Sequence, residues 1–232
     1  MMESILREGL TALSLPTEGI PALIRYAELL AEKNQVMNLT AITDPEEVAR
    51  LHFLDSAALL ALADFRGKTV VDVGTGAGFP GLPLRILEPS VRLTLLDAQR
   101  KRVDFLQEVC QELELEGTEC VHGRAEEFAQ ANRESFDLAV SRAVAALPVL
   151  AELCLPLVKV GGQFLAMKSV GTGEELHAAG RAVSLLGGRL EKPVDYGISG
   201  TNIRHRLVII TKICETPKKY PRTFAKIKKN PL

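Results

Sequence analysis

Val70-Val71-Asp72-Val73-Gly74-Thr75-Gly76-Ala77-Gly78-Phe79-Pro80-Gly81 is a β-branched run that opens directly into alternating glycines. Such a strand needs a sharp turn at its end, and glycine is the residue that turns sharply while letting the backbone approach a ligand. The next apolar run closes with Leu95-Leu96-Asp97, which sets a carboxylate 21 residues beyond Gly76. At the tip of the neighbouring strand of a βαβ unit, that acid is placed to accept hydrogen bonds from a ribose diol. The pattern describes a nucleoside-cofactor site.

Two cofactors compete for it. Counted from Gly76, the turn reads Gly76-x-Gly78-x-x-Gly81, which matches a dinucleotide fingerprint. Counted from Gly74, it reads Asp72-x-Gly74-x-Gly76-x-Gly78, the loop type that holds S-adenosylmethionine (SAM). Three details favour SAM. Val73 ends the strand, so Gly74 belongs to the turn. Asp72 is an acid inside the strand, suited to an amino-acid ammonium. Pro80 removes a backbone N–H where a pyrophosphate would want one. The rival reading is an NAD-binding Rossmann oxidoreductase.

Bulk properties fit one α/β domain with a small addition. The 232 residues are 47% hydrophobic and 25% charged, enough apolar surface for a sizeable core. The N-terminus lacks the basic-then-apolar signal pattern. The longest apolar stretch, 138–158, is broken by Arg142, Glu152 and two prolines, so no membrane span is expected. Cys110, Cys120, Cys154 and Cys214 show no metal spacing and read as reduced core thiols of a cytoplasmic protein. Charge is uneven: residues 200–232 hold nine Lys or Arg and one acid, giving +8 and leaving −9 elsewhere. A basic end on an acidic body points to a polyanion contact.

The chain divides into an N-terminal helical extension (1–65), a nucleotide-binding core (66–214) and a basic tail (215–232). Residues 21–30 have helical apolar spacing, and Thr43-Asp44-Pro45-Glu46 reads as a capping box opening a helix to about Leu62. Strands are expected at 69–73, 91–96, 118–122, 136–141, 162–167, about 190–196 and 206–213. Helices are expected from near Pro80, Gln99, Glu126, Ala146 and Gly173. Strand–helix alternation predicts a mostly parallel sheet of seven strands, with the last two joined antiparallel. That is an α/β, class I SAM-dependent methyltransferase (Rossmann-like) architecture.

The glycine loop, with Leu82-Pro83 after it, resembles that of the small-subunit ribosomal RNA methyltransferase G family, also called glucose-inhibited division protein B. The resemblance extends through Asn38-Leu39-Thr40-Ala41-Ile42, His52-Phe53-Leu54-Asp55-Ser56, Leu95-Leu96-Asp97, Lys101-Arg102-Val103, Gly123-Arg124-Ala125-Glu126-Glu127 and Ser141-Arg142-Ala143, over roughly residues 25–215. It implies a SAM-dependent enzyme that methylates N7 of one guanine, guanine 527, in 16S rRNA of the small ribosomal subunit. It implies cofactor contacts at Gly74, Phe79, Ala125, Glu126 and Arg142. Residue type adds Asp72, the Gly76 and Gly78 backbone, and Asp97. Two places depart from the family pattern: Lys168-Ser169 stands for Lys-Gly, and 223–228 replaces a Gly-Thr-Pro element in the tail.

Guanine N7 carries a lone pair and no proton, so no general base is required and none is assigned. No metal ligand set is assigned either. Substrate or RNA contacts are expected at Asn38, His52, Asp55, Arg142, Lys168, Arg206, Lys218, Lys219 and Arg222. His52, Asp55 and Ser56 share one helical face, which reads either as a packed hydrogen-bonded face or as a wall of the substrate cleft. Arg142 ends the fourth strand, at the ligand-binding edge of such a sheet. The tail is expected to be separable from a core that folds without it, and the protein to act as a monomer. A third reading is a non-catalytic RNA-binding ribosome-assembly factor on a methyltransferase scaffold; a small-molecule methyltransferase is disfavoured by the basic tail.

Overall fold

The computed structural model describes residues 1–142 and 145–232. Helices α1 (Met2–Ala12) and α2 (Ile20–Asn34) come first. A second helical run follows: α3 (Pro45–Glu47), a π-helical stretch Val48–Leu54, and α4 (Asp55–Leu62). Its cap is Asp44 rather than Thr43: the Asp44 carboxylate accepts from the Glu46 and Glu47 amides, both at 3.0 Å. A carboxylate beside the positive end of a helix is the stronger cap, and Pro45 suits the first helical position.

From β1 (Thr69–Val73) the chain alternates as expected through α5 (Gly81–Leu87), β2 (Arg92–Asp97), α6 (Arg100–Glu112), β3 (Thr118–His122), α7 (Ala125–Ala131), β4 (Phe136–Arg142), α8 (Leu147–Cys154), β5 (Val158–Ser169) and α9 (Gly173–Leu185). Strands β6 (Gly188–Leu190), β7 (Val194–Gly197) and β8 (Arg204–Lys212) complete the sheet. Its order is β3-β2-β1-β4-β5-β8-β6, with β7 also on β8. The first five strands pair in parallel, and β8 runs antiparallel to β5, β6 and β7. The stretch expected as one strand at 190–196 is two. Pro193 has no N–H to give the ladder. Between Leu190↔Ile210 and Val194↔Leu207 one extra residue bulges out.

Side chains alternate across the sheet and build a core on each face. Val70, Leu95, Leu138, Val140 and Leu165 face the N-terminal helices, α5 and α6. Val71, Leu96, Ala139, Phe164 and Ala166 face α8, α9 and the tail. The N-terminal helices therefore share a core with the sheet. Tyr26 of α2 is fully buried, donates to the Ala77 carbonyl of the glycine turn, and stacks on Phe79 at 5.4 Å. Gly78 lies against the same ring, with φ at +106° and room for no Cβ: one would fall 2.6 Å from the Tyr26 hydroxyl and 2.5 Å from Leu82. Gly78→Ala is expected to cost about 2 kcal/mol or more in a urea unfolding titration, from overpacking and a disfavoured φ together.

The tail is not a separable end. Tyr220 and Ile227 are buried, and α10 (Phe224–Lys229) packs against α8. Against the expectation that the core folds independently of it stands one contact. Glu152, inside apolar α8, is 0% exposed and holds Arg222 through the Arg222 amide at 2.9 Å and its guanidinium at 2.8 and 2.6 Å. A buried carboxylate needs such a partner, so Arg222 is a structural bolt and not a free RNA contact. Lys212, also buried, ties the start of the tail to Glu134 at 3.1 Å and Thr216 at 2.8 Å.

Candidate active site

The sheet order reverses between β1 and β4, and the loops leaving those two strands diverge there. Crevices at such switch points are where doubly wound sheets bind ligands. The Ser141 hydroxyl donates to the Val73 carbonyl at 2.9 Å and pins the two strand ends together. A cavity of about 430 Å³ opens above them, lined among others by Gly74, Gly76, Phe79, Asp97, Gln99 and Arg102. His52 and Arg142 form its far wall. They are shared with a second cavity of about 580 Å³, which also takes in Asp55, Lys168, Glu175 and His205.

Asp97 sits at the end of β2 as expected, 4% exposed. One carboxylate oxygen accepts from the Gly76 amide at 2.9 Å, and the other from the Gln99 amide at 2.8 Å. Arg102 stands 3.4 Å away. Arg102 shares the oxygen that Gly76 uses, so the other oxygen retains a lone pair for a diol. Gly76 has φ at +63°, and a Cβ on it would meet nothing within 4 Å, so the turn is open on that side.

Asp72 does something else. It is completely buried, and one oxygen accepts from the Thr75 hydroxyl at 2.7 Å and the Gly81 amide at 2.9 Å. It braces both ends of the glycine turn and is not part of the first cavity's lining. Its other oxygen has no partner among the described residues, and burial pushes its pKa up to about 6.

Phe79 is the floor beneath the shared wall. His52 stacks on it at 4.3 Å, and the Arg142 guanidinium lies 5.0 Å from its centroid. Arg142 donates to the Leu51 carbonyl at 2.9 Å, to Asp55 at 3.3 Å and to His52 Nδ1 at 2.9 Å. Arginine can only donate, so Nδ1 is unprotonated. Burial, with Arg142 adding to it, lowers the His52 pKa to about 4. The ring is therefore neutral near pH 7, with its proton on Nε2, donated to Thr40 Oγ1 at 2.9 Å.

That pairing has a pH signature. A histidine normally titrates near 6.5. With its folded pKa depressed to about 4, its contribution is present above pH 6.5 and lost as pH falls through 4. The loss is on the order of 3 kcal/mol. Asp72 runs the other way, its contribution being lost as pH rises from 3.8 through 6. His52→Gln can keep an acceptor toward Arg142 and a donor toward Thr40. Its stability, followed by urea titration, is expected to fall less steeply than the wild type's between those pH limits; parallel curves would refute the assignment.

Asp55 is a hub rather than a cleft surface. It is 1% exposed and receives Tyr196 Oη at 2.9 Å, His205 Nδ1 at 2.8 Å and Arg142. Lys168 is held by Glu175 at 2.7 Å and by the Ala145 carbonyl. Several expected contacts lie elsewhere. Gly78, Ala125 and Glu126 do not line the first cavity. Glu126 accepts from the Phe224 amide at 3.1 Å, at the start of α10. Asn38 is exposed, whereas its neighbours Leu39 and Thr40 reach the cavity. Arg206 is held by Asp195 at 2.6 and 2.8 Å. Lys218 and Lys219 are exposed on the tail. Ala143 of the Ser141-Arg142-Ala143 motif lies outside the described residues.

Thr40, Gln99, Arg102, Tyr196 and His205 do not stand out in the sequence as site residues. Thr40 and Arg102 fall inside segments that carry the resemblance, a usable signal. Tyr196 and His205 reach Asp55 across 141 and 150 residues and leave no local trace. Among the described residues no cluster suited to a metal ion occurs, and no helix is long and apolar enough to cross a membrane. Cys214 is exposed and Cys110 and Cys120 are half-buried, so only Cys154 fits the expected core thiol.

The family model for rRNA small subunit methyltransferase G matches residues 19–203. The chain belongs to this family. A Ribosomal RNA small subunit methyltransferase G from Clostridium botulinum (strain ATCC 19397 / Type A) is 46% identical over 213 residues, 90% of this chain and 89% of its own. The one from Alkaliphilus oremlandii is 46% identical over 237 residues, covering 100% and 99%. Among solved structures, M. jannaschii TYW2 in complex with AdoMet superposes with a TM-score of 0.56 at 11% identity, over 68% of this chain and 75% of that one. TrmN from Thermus thermophilus gives 0.54 at 21% identity, over 69% and 48%. These two establish the class I methyltransferase fold. Membership of the methyltransferase G family decides the cofactor in favour of SAM over a dinucleotide. The lining holds one acid, Asp97, beside an open glycine turn.

Proposed function

We propose that this protein methylates N7 of one guanine of 16S rRNA, with SAM in the first cavity and the target base in the second. The observation that carries this reading is the shared wall. His52 and Arg142 border both cavities, so the two adjoin at these side chains, where the sulfonium methyl and N7 would be brought into direct contact.

Bound SAM supplies an electrophilic methyl group on a sulfonium. The chain supplies placement. Asp97 accepts the ribose hydroxyls, and the Gly74–Gly76 turn provides a backbone surface. The stacked Phe79 and His52 rings keep water from the joint. Arg142 retains N–H groups beyond its three bonds, directed to an acceptor edge of the entering nucleotide. Since N7 needs no deprotonation, most of the catalysis is orientation and desolvation. A histidine with a pKa near 4 is a poor base, and none is needed. The single-turnover rate at saturating RNA is thus expected to be flat between about pH 6.5 and pH 9. A rate following one ionisation would reveal a base.

We further infer a monomer acting in the cytoplasm on the small subunit or its RNA. The decisive experiment is mass mapping of 16S rRNA after incubation with the purified protein and SAM. One added methyl on a guanine supports the proposal. Calorimetric binding of NAD in place of S-adenosylhomocysteine (SAH), or RNA binding with no methyl transfer, would overturn it in favour of the oxidoreductase or the assembly factor.

A further inference from the structure

The lining of the second cavity is electrostatically balanced except at one residue. Arg142 and Lys168 face the carboxylates of Asp55 and Glu175, two charges of each sign. The remaining titratable groups of that lining are His52, which is neutral near pH 7, and His205 on β8. The His205 Nδ1 is fixed by buried Asp55 at 2.8 Å, and its side chain is 29% exposed. Nε2 makes no hydrogen bond among the described residues. A charged His205 therefore turns a neutral cavity lining into a cationic one, at its solvent-facing side.

We propose that His205 is an RNA-positioning residue, held by Asp55 through Nδ1 and donating Nε2–H to a backbone phosphate of the strand that enters the second cavity. The proposal rests on the rRNA-methyltransferase reading and adds to it a specific phosphate contact. The charged and titratable groups around the imidazole are His52 of the π-helical stretch, Asp55 of α4, Arg142 of β4, Lys168 of β5, Glu175 of α9 and Tyr196 of β7, whose ring meets it edge-on at 6.2 Å. Asp55 dominates: its hydrogen bond raises the His205 pKa against the opposing pull of partial burial and Arg142. The contact is thus charged in mildly acidic solution and lost as pH rises. Tyr196 donates to the same Asp55 oxygen as His205 and Arg142 donates to the other, so the carboxylate that fixes Nδ1 is itself held in place.

A salt series distinguishes a charged phosphate contact from a neutral hydrogen bond to a base. Each phosphate neutralised on single-stranded RNA adds about 0.7 to the slope of log affinity against log salt. Binding of a 16S rRNA transcript would be measured near pH 6 and near pH 9, for wild type and His205→Gln. The wild-type slope is expected to be steeper at the lower pH by about 0.7–0.9. The variant, which retains every other titrating group including Asp72, is expected to lack that difference. SAH affinity, measured alongside, should be equal in both and serves as the check on folding. An equal pH effect on the slope in both proteins, or none in wild type, overturns the phosphate contact while leaving the methyltransferase reading intact. No salt-dependent RNA binding by wild type at either pH would overturn both.

Discussion

Asp97→Ala is expected to weaken SAH binding about ten- to hundredfold, the equivalent of roughly 1.5–3 kcal/mol for hydrogen bonds to a charged group. Two losses combine. The diol loses its acceptor, and the Gly76 and Gln99 amides lose the carboxylate that positions the glycine turn and the start of α6. Asp97→Asn separates them, because an amide oxygen still accepts one amide but offers less to the diol. Calorimetric titration with SAH is the measurement. An affinity unchanged in the alanine variant would remove Asp97 from the cofactor site and with it the assignment of the first cavity.

Arg222→Ala is expected to destabilise the fold by about 3–5 kcal/mol, because it strands the Glu152 carboxylate in an apolar helix. Deleting 218–232 should be at least as harmful, since it also uncovers the surfaces on which Tyr220 and Ile227 pack. The pair replaced together, Glu152→Met with Arg222→Met, should recover most of the loss, which denaturant titration of the four proteins would show. A small effect of the single change would mean that water reaches Glu152 and the tail docks loosely. The RNA role of the tail is then testable only with the anchor kept. Changing the exposed Lys218, Lys219, Lys226, Lys228 and Lys229 to glutamine should flatten the salt slope by about 2–3 if three of them meet phosphates.

The parts of the site that can be read from the chain are those whose chemistry is local. A glycine turn after a β-branched strand, and an acid at the tip of the next, carry their meaning within a few residues. Helix and strand positions follow because apolar spacing reports which face is buried. What stays hidden depends on where distant strands bring their ends. Asp55 gives no hint of Tyr196 and His205, which arrive on β7 and β8 from the far side of the sheet. Asp72 looks like a ligand contact because an acid in a strand usually has a functional reason; its reason is to tie Thr75 to Gly81. The docked tail does leave a mark. Glu152 is an acid amid Leu147-Pro148-Val149-Leu150-Ala151 and Leu153, and a charge in such a run must be matched by something. The nine C-terminal cations offer candidates, but nothing in their spacing singles out Arg222.

The strand order also governs how the molecule can be made. A ribosome releases β8 last of the strands, yet β8 lies inside the sheet, with β5 on one side and β6 and β7 on the other. Until it emerges, β6 and β7 have no partner, one edge of β5 is bare, and Asp55 awaits His205. Arg222 follows later still, so Glu152 is unmatched in every nascent chain. Completion is thereby deferred until residues 204–222 have been made, and the unfinished chain carries open edges of the kind that aggregate or recruit chaperones. Chains arrested before residue 204 should be digested readily by protease, and chains that include residues 204–232 should resist it. Arg222 is the residue whose arrival matches Glu152 and closes this side of the core.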